Sequence, residues 1–171
     1  MAARITRTLC RLESILKFFT DNKIQLGTAH SEYAQYWSDN SLQMPSSALR
    51  LSAGMLPDNL LSNIADPIYL HDARIQKSAT AENQLSLTLH GDDHGSLREI
   101  EIRYDCGSFQ IPEIPNSLVD NTPQCDLMCH EFRIESDSMV HEILFAIGIE
   151  IAVQFRGIQV EVTPDRDITM R

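Results

Sequence analysis

A chain of 171 residues, 43% hydrophobic and 22% charged, can bury one real core and carries too little charge for wholesale disorder. Its 24 acidic and 14 basic side chains leave a formal charge of −10, which argues against a surface built for nucleic acid or anionic lipid. Such surfaces need Lys and Arg in excess to face phosphate.

The charge is unevenly placed. Residues 1–23 hold Arg4, Arg7, Arg11, Lys17 and Lys23 against Glu13 and Asp21, a net of +3. The remaining residues hold 9 basic and 22 acidic side chains, a net of −13. No apolar run reaches the roughly 7–15 residues of a secretory signal or the ~18 of a transmembrane helix. A cytoplasmic location is the expectation. Cys10, Cys106, Cys125 and Cys129 are too few and too scattered for a disulfide framework, so reduced thiols are expected.

In chain order, Ile5, Leu9, Leu12, Ile15, Leu16 and Phe19 recur at three- and four-residue steps and predict an amphipathic helix over about residues 4–20. Asp21-Asn22 and Gly27 supply stop signals. Tyr33, Tyr36 and Trp37 predict a second helix over about 30–40 and are read as packing side chains rather than an exposed stripe. Pro45 and Pro57-Asp58 each introduce a short helical piece, through Leu49 and Leu51 and then Leu60, Leu61 and Ile64.

From residue 68 the period becomes two. Tyr69–Ile75 reads as a strand. Leu85, Leu87 and Leu89, then Ile100, Ile102 and Tyr104, flank the Gly/Asp-rich stretch 91–95 and predict a hairpin with one wet face. Residues 105–127 contain three prolines and four acids but no Lys or Arg, and read as a long loop with the option of an edge strand at 109–111. Met128–Ile134, Val140–Phe145 and Ile149–Phe155 follow as strands. The apolar parity then switches from odd (Phe155) to even (Ile158), which places a bulge or tight turn at Gly157. The expected architecture is α+β in a single domain: 1–66 mainly helical, 67–104 and 127–163 as a mostly antiparallel meander of six or seven strands, 105–127 an acidic loop and 164–171 a tail.

Chemistry-bearing clusters are few. His90-Gly-Asp-Asp-His94 could offer metal ligands, yet a hairpin tip collects Gly and Asp for its geometry, and a polar turn is the reading. Cys125-x3-Cys129-His130 lacks the paired short spacings of a zinc site, and alternation sends Cys129 and His130 to opposite faces of one strand. His71-Asp72 has the residue types of a metal pair, but on a strand His71 shares a face with Tyr69, Ala73 and Ile75 and reads as partly buried. No nucleophile elbow, phosphate loop or dinucleotide fingerprint is present. Neither a cofactor nor a metal is expected.

Leu56-Pro57, the stretch Leu70-His-Asp-Ala-Arg-Ile75 and the Leu85–Leu89 strand together resemble a loose group of small bacterial α+β proteins. In these, helices precede an "LHDA" strand and a β-meander, and some are suspected immunity proteins of toxin systems. The resemblance covers about residues 55–162 and implies no catalytic residue. With the negative charge and the absence of a catalytic signature, it points to a non-enzymatic inhibitor. The acidic contact residues expected to meet a cationic protein are Asp92 and Asp93 at the hairpin tip, Glu99 and Glu101 on its wet face, and Glu113 and Asp120 in the loop. The competing classes are a metal-dependent hydrolase using His71 and Asp72 or His90 and His94, and a self-associating adaptor.

Overall fold

The computed structural model describes residues 16–93, 96–119 and 123–164, with backbone alone for 92, 93, 96, 97, 123 and 164. Among the described residues four short α-helices come first: α1 (Asp21–Leu26), α2 (Ala29–Asn40), α3 (Ser46–Leu51) and α4 (Asp58–Leu61). Seven strands follow, β1 (Arg74–Ala81), β2 (Gln84–Asp93), β3 (Ser96–Asp105), β4 (Leu127–Glu135), β5 (Ser138–Phe145), β6 (Glu150–Phe155) and β7 (Gly157–Pro164). They form two antiparallel sheets, ordered β1-β2-β3-β7 and β4-β5-β6. The chain is α+β, as its two periodicities predict. No helix among the described residues is long and apolar enough to cross a membrane.

The predicted first helix ends differently from the expectation. Residues 4–15 lie outside the described residues, and Leu16–Thr20 are not helical. Asp21, read as a stop, instead begins α1. The Thr20 side chain accepts from Lys23 N to cap it, and Asp21 sits where the helix dipole favours an anion. Gly27 ends α1 at φ 71, a left-handed conformation that glycine adopts without steric cost.

The strand expected at Tyr69–Ile75 starts later, at Arg74, because His71 and Asp72 form a turn with Asp72 at φ 62. Among the described residues the 105–127 segment holds no strand at 109–111. It contains two single-turn 3₁₀ pieces, Asn116–Val119 and Pro123–Cys125, pinned by buried Leu118 and Cys125.

The parity switch also has a cause other than a bulge or positive φ. Arg156 is a corner at which the chain leaves the three-stranded sheet and enters the four-stranded one. Its amide donates to the Asp105 carbonyl at 2.8 Å. Phe155 points inward from one sheet and Ile158 inward from the other, so the buried positions change parity between them.

The inner faces of the two sheets meet in one core. Leu85, Leu87, Leu89, Ile100, Ile102 and Tyr104 come from one side, with Phe132, Ile143, Ile151, Val153 and Phe155 from the other. Helix α2 closes the outer edge of β4. Phe132 N donates to Tyr33 Oη at 2.9 Å and Ile134 N donates to Tyr36 Oη at 2.8 Å. Two edge amides two residues apart are thus met by two hydroxyls three residues apart on one helical face. This blocks a strand edge that would otherwise present unpaired donors.

Tyr33 is fully buried, so Tyr33→Phe should leave the Phe132 amide without an acceptor and cost about 1–3 kcal/mol. Tyr36→Phe, at a half-buried position, should cost less, about 1 kcal/mol. Urea unfolding of both variants checks the order; equal, negligible losses would show that the edge amides find other partners.

Candidate functional site

Two polar assemblies stand out, one sealed and one open. The sealed one follows from two His-Glu dipeptides, at 130–131 on β4 and 141–142 on β5. The hairpin register sets Glu131 opposite Glu142 and Phe132 opposite His141. Each dipeptide therefore sends its glutamate to the outer face of the three-stranded sheet and its histidine into the core.

On the outer face the Glu131 carboxylate is fully buried and accepts three successive backbone amides: Lys17 at 2.7 Å, Phe18 at 2.8 Å and Phe19 at 3.3 Å. Arg133 lies 3.4 Å from Glu131 and bridges to Glu142 at 2.6 Å and Glu135 at 2.7 Å. Burial pushes the Glu142 carboxyl up to about 7; Arg133 opposes the shift and the neighbouring Glu131 charge adds to it. Two buried carboxylates and one guanidinium cannot all be ionised cheaply, which favours the protonated form of Glu142. Nearby Cys129 is raised to about 12, first by burial and then by Glu131, Glu150 and Asp21, which keeps its thiol protonated and unreactive.

In the core, Tyr104 Oη lies 2.8 Å from His141 Nδ1, and His141 Nε2 lies 3.0 Å from His130 Nδ1. The proton order that satisfies most groups runs Tyr104 to His141 to His130, which leaves His130 Nε2 without a partner among the described residues. Burial lowers His130 to about 3 and His141 well below its ordinary value, with His130 adding to the second shift. Every member of this network is enclosed by protein, so its chemistry is internal cohesion.

The open assembly lies on the other sheet. The outer face of β3 carries Glu99, Glu101, Arg103 and Asp105, and the register places Glu161 of β7 directly opposite Glu101. Like charges facing one another across a strand pair are destabilising. Arg103 offsets part of that, at 2.9 Å from Glu101 and 3.3 Å from Glu161. Glu99 remains half-exposed, 3.7 Å from the His90 imidazole. Four carboxylates thus lie on two adjacent strands, two of them bridged by Arg103, with Lys77 on the same face two strands away. The face is wet and negative.

Of the residues expected to contact a partner, Glu99 and Glu101 share this face. Asp92 and Asp93 continue β2 toward the hairpin tip, but their side chains lie outside the described residues, as do His94 and Asp120. Glu113 is exposed on the 105–127 segment, away from this face, in a cleft beside β1. The acids of that segment are not all unmatched: Asp126 pairs with Arg74.

His71 is exposed rather than buried, 3.0 Å from Asp72 in their shared turn. No group of three or more His, Cys, Asp or Glu among the described residues is placed to hold a metal ion. Cys129 and His130 do point to opposite faces, and both are buried. Tyr33 and Trp37 are core residues, as their helical spacing predicts.

Glu161 and the 130–131 and 141–142 dipeptides were outside the sequence-based expectations. A signal for the glutamates existed: Glu131 and Glu142 lie equally far from the Ser136-Asp137 turn and must face one another once the hairpin closes. Compared with family models, curated proteins and solved structures, the chain matches none.

The buried groups set a pH profile. His130 and His141, depressed in the folded state, remove stability as pH falls below the unfolded value near 6.5. Glu142, raised in the folded state, contributes stability that is full below about 4.5 and lost as pH rises through about 7. Between about pH 4.5 and 6.5 the two histidines outweigh the single glutamate, so stability should rise by about 1.4 kcal/mol per pH unit. Glu142→Gln removes the opposing proton and should roughly double that slope. Urea midpoints at four pH values across the window measure both slopes, and a flat wild-type profile would contradict the neutral buried pair.

Proposed function

We propose that the chain is a non-enzymatic binding protein of the immunity type, which neutralises a toxin by covering a cationic surface with the outer face of its four-stranded sheet. The observation that carries the reading is the cross-strand row of Glu99, Glu101 and Glu161, four carboxylates with Asp105, against one bridging arginine. Such a face gains from a cation that separates Glu101 from Glu161. It steers a basic partner through long-range attraction, and the contacts that follow set the lifetime of the complex.

A sheet face presents its side chains on rigid, paired strands. Alternate residues project about two residues apart along each strand and under 5 Å apart across strands. A partner bearing Lys or Arg at matching intervals would meet three carboxylates without ordering any new backbone. The resemblance of 55–162 to suspected immunity proteins points the same way, and a bacterial toxin encoded beside this chain is the natural candidate.

The test co-expresses the chain with the product of the adjoining reading frame and follows association kinetics at 50 and 300 mM salt. Complex formation should be at least about tenfold slower at the higher salt, because exposed charges are screened. Glu99→Gln combined with Glu161→Gln should cut the low-salt association rate by about three- to tenfold and change dissociation little. Salt-independent association would remove the acidic face from the reading, and failure to form a complex or to protect the host from the toxin would remove the immunity role.

A further inference from the structure

The end strand β1 carries a second, independent surface. It pairs with β2 on one side, and among the described residues no hydrogen bond reaches its other edge between Gln76 and Ala81. Proteins guard such edges with charge, proline or a bulge. Here those devices stop early: the register shift falls between Ile75 and Lys77, and the only charge on the outer half of the strand is Lys77 itself. Ser78, Ala79, Thr80 and Ala81 are small, exposed or half-buried, uncharged and without proline. Although the Asn116–Val119 turn packs against β1, no hydrogen bond among the described residues occupies their outward backbone groups.

Facing this edge, the extended stretch 111–114 forms the second wall of a cleft of about 430 Å3. Half-buried Ile111 and Ile114 pack against the core and fix that wall in place. Pro112 offers no amide, and Glu113 stands exposed from it. Glu82, in the β1–β2 turn, provides a carboxylate at the strand's end. No Lys or Arg lines the cleft, and residues 105–127 contain none.

We propose that this edge takes up an extended, lysine- or arginine-bearing segment of a partner protein as an added strand. Main-chain hydrogen bonds to Ser78–Ala81 supply the attachment, and basic side chains at alternate positions reach Glu82 and Glu113. The inference uses a different surface from the acidic sheet face and stands even if that face binds nothing.

The probe is a synthetic octapeptide of alternating lysine and threonine, titrated into the full-length chain and followed by fluorescence anisotropy and amide hydrogen exchange. The expected result is saturable binding with new exchange protection within residues 76–81. Methylating alternate backbone nitrogens of the peptide should weaken binding at least tenfold. Glu82→Gln with Glu113→Gln should weaken it at least fivefold, whereas Asp39→Asn, at a distant exposed acid, should not. Equal binding of the methylated peptide would reduce the effect to bulk charge attraction and overturn the proposal. Absence of protection in 76–81, protection on β3 and β7 instead, or concentration-dependent self-association through the same edge would each overturn it as well.

Discussion

A carboxylate withdrawn from water must recover its hydration energy from fixed donors, and Glu131 recovers it from three successive amides of an otherwise irregular segment. That requirement organises the whole helical side of the molecule. With Lys17, Phe18 and Phe19 held on the outer face of β4, Phe18 lies 5.4 Å from the Tyr33 ring and 5.1 Å from that of Tyr36. Those two rings in turn position the hydroxyls that close the β4 edge. One buried charge therefore connects the entering chain, helix α2 and the three-stranded sheet. Removing it would leave three amides and part of Arg133 without a partner, which is why a polar group in this position adds specificity as well as cohesion.

The two sheets use buried polarity in opposite ways. The three-stranded sheet has buried polar groups on both faces. Glutamates and Arg133 lie beneath the N-terminal segment, while the Tyr104–His141–His130 chain lies between the sheets. The four-stranded sheet keeps an apolar inner face and a solvated outer one, the usual division for an antiparallel sheet. Its outer carboxylates are less buried than Glu131, Glu142 and Asp126, although Arg103 engages Glu101 and Glu161. They, and not the more perturbed buried groups, face solvent. Perturbed titration marks functional sites only when the groups can be reached.

Locating the net charge also separates acids by what they already do. Glu135 and Asp126 are engaged with arginines of this chain, and Glu101 and Glu161 share one. Glu99, Glu82 and Glu113 have no arginine or lysine partner among the described residues. Part of the acidic excess thus lies on the outer sheet face and part in the cleft beside β1. The two geometries suit different contacts, side-chain matching in the first and strand addition in the second.

The sequence by itself determined the elements whose period survives any context. The 3.6-residue spacing of Tyr33, Tyr36 and Trp37 marked α2 as a packing helix, and the alternation of Leu85–Leu89 with Ile100–Tyr104 marked the β2–β3 hairpin and its wet face. These patterns are local, so one chain segment contains the whole signal. Tertiary structure decided what depends on distant partners. Leu16–Phe19 carry a helical pattern, yet Glu131, over a hundred positions away, holds their amides in a non-helical run. His71 looked apolar in company because alternation was continued through a turn that Asp72 imposes at φ 62. The parity change at Gly157 could not be read as a sheet crossing, because a strand's own alternation does not say which sheet its neighbours belong to. Likewise Glu99 and Glu101 were legible as wet-face residues, but Glu161 joined them only through the β3–β7 register, a pairing between segments more than fifty residues apart. Periodicity assigns a residue to a face; only long-range pairing says what else shares it.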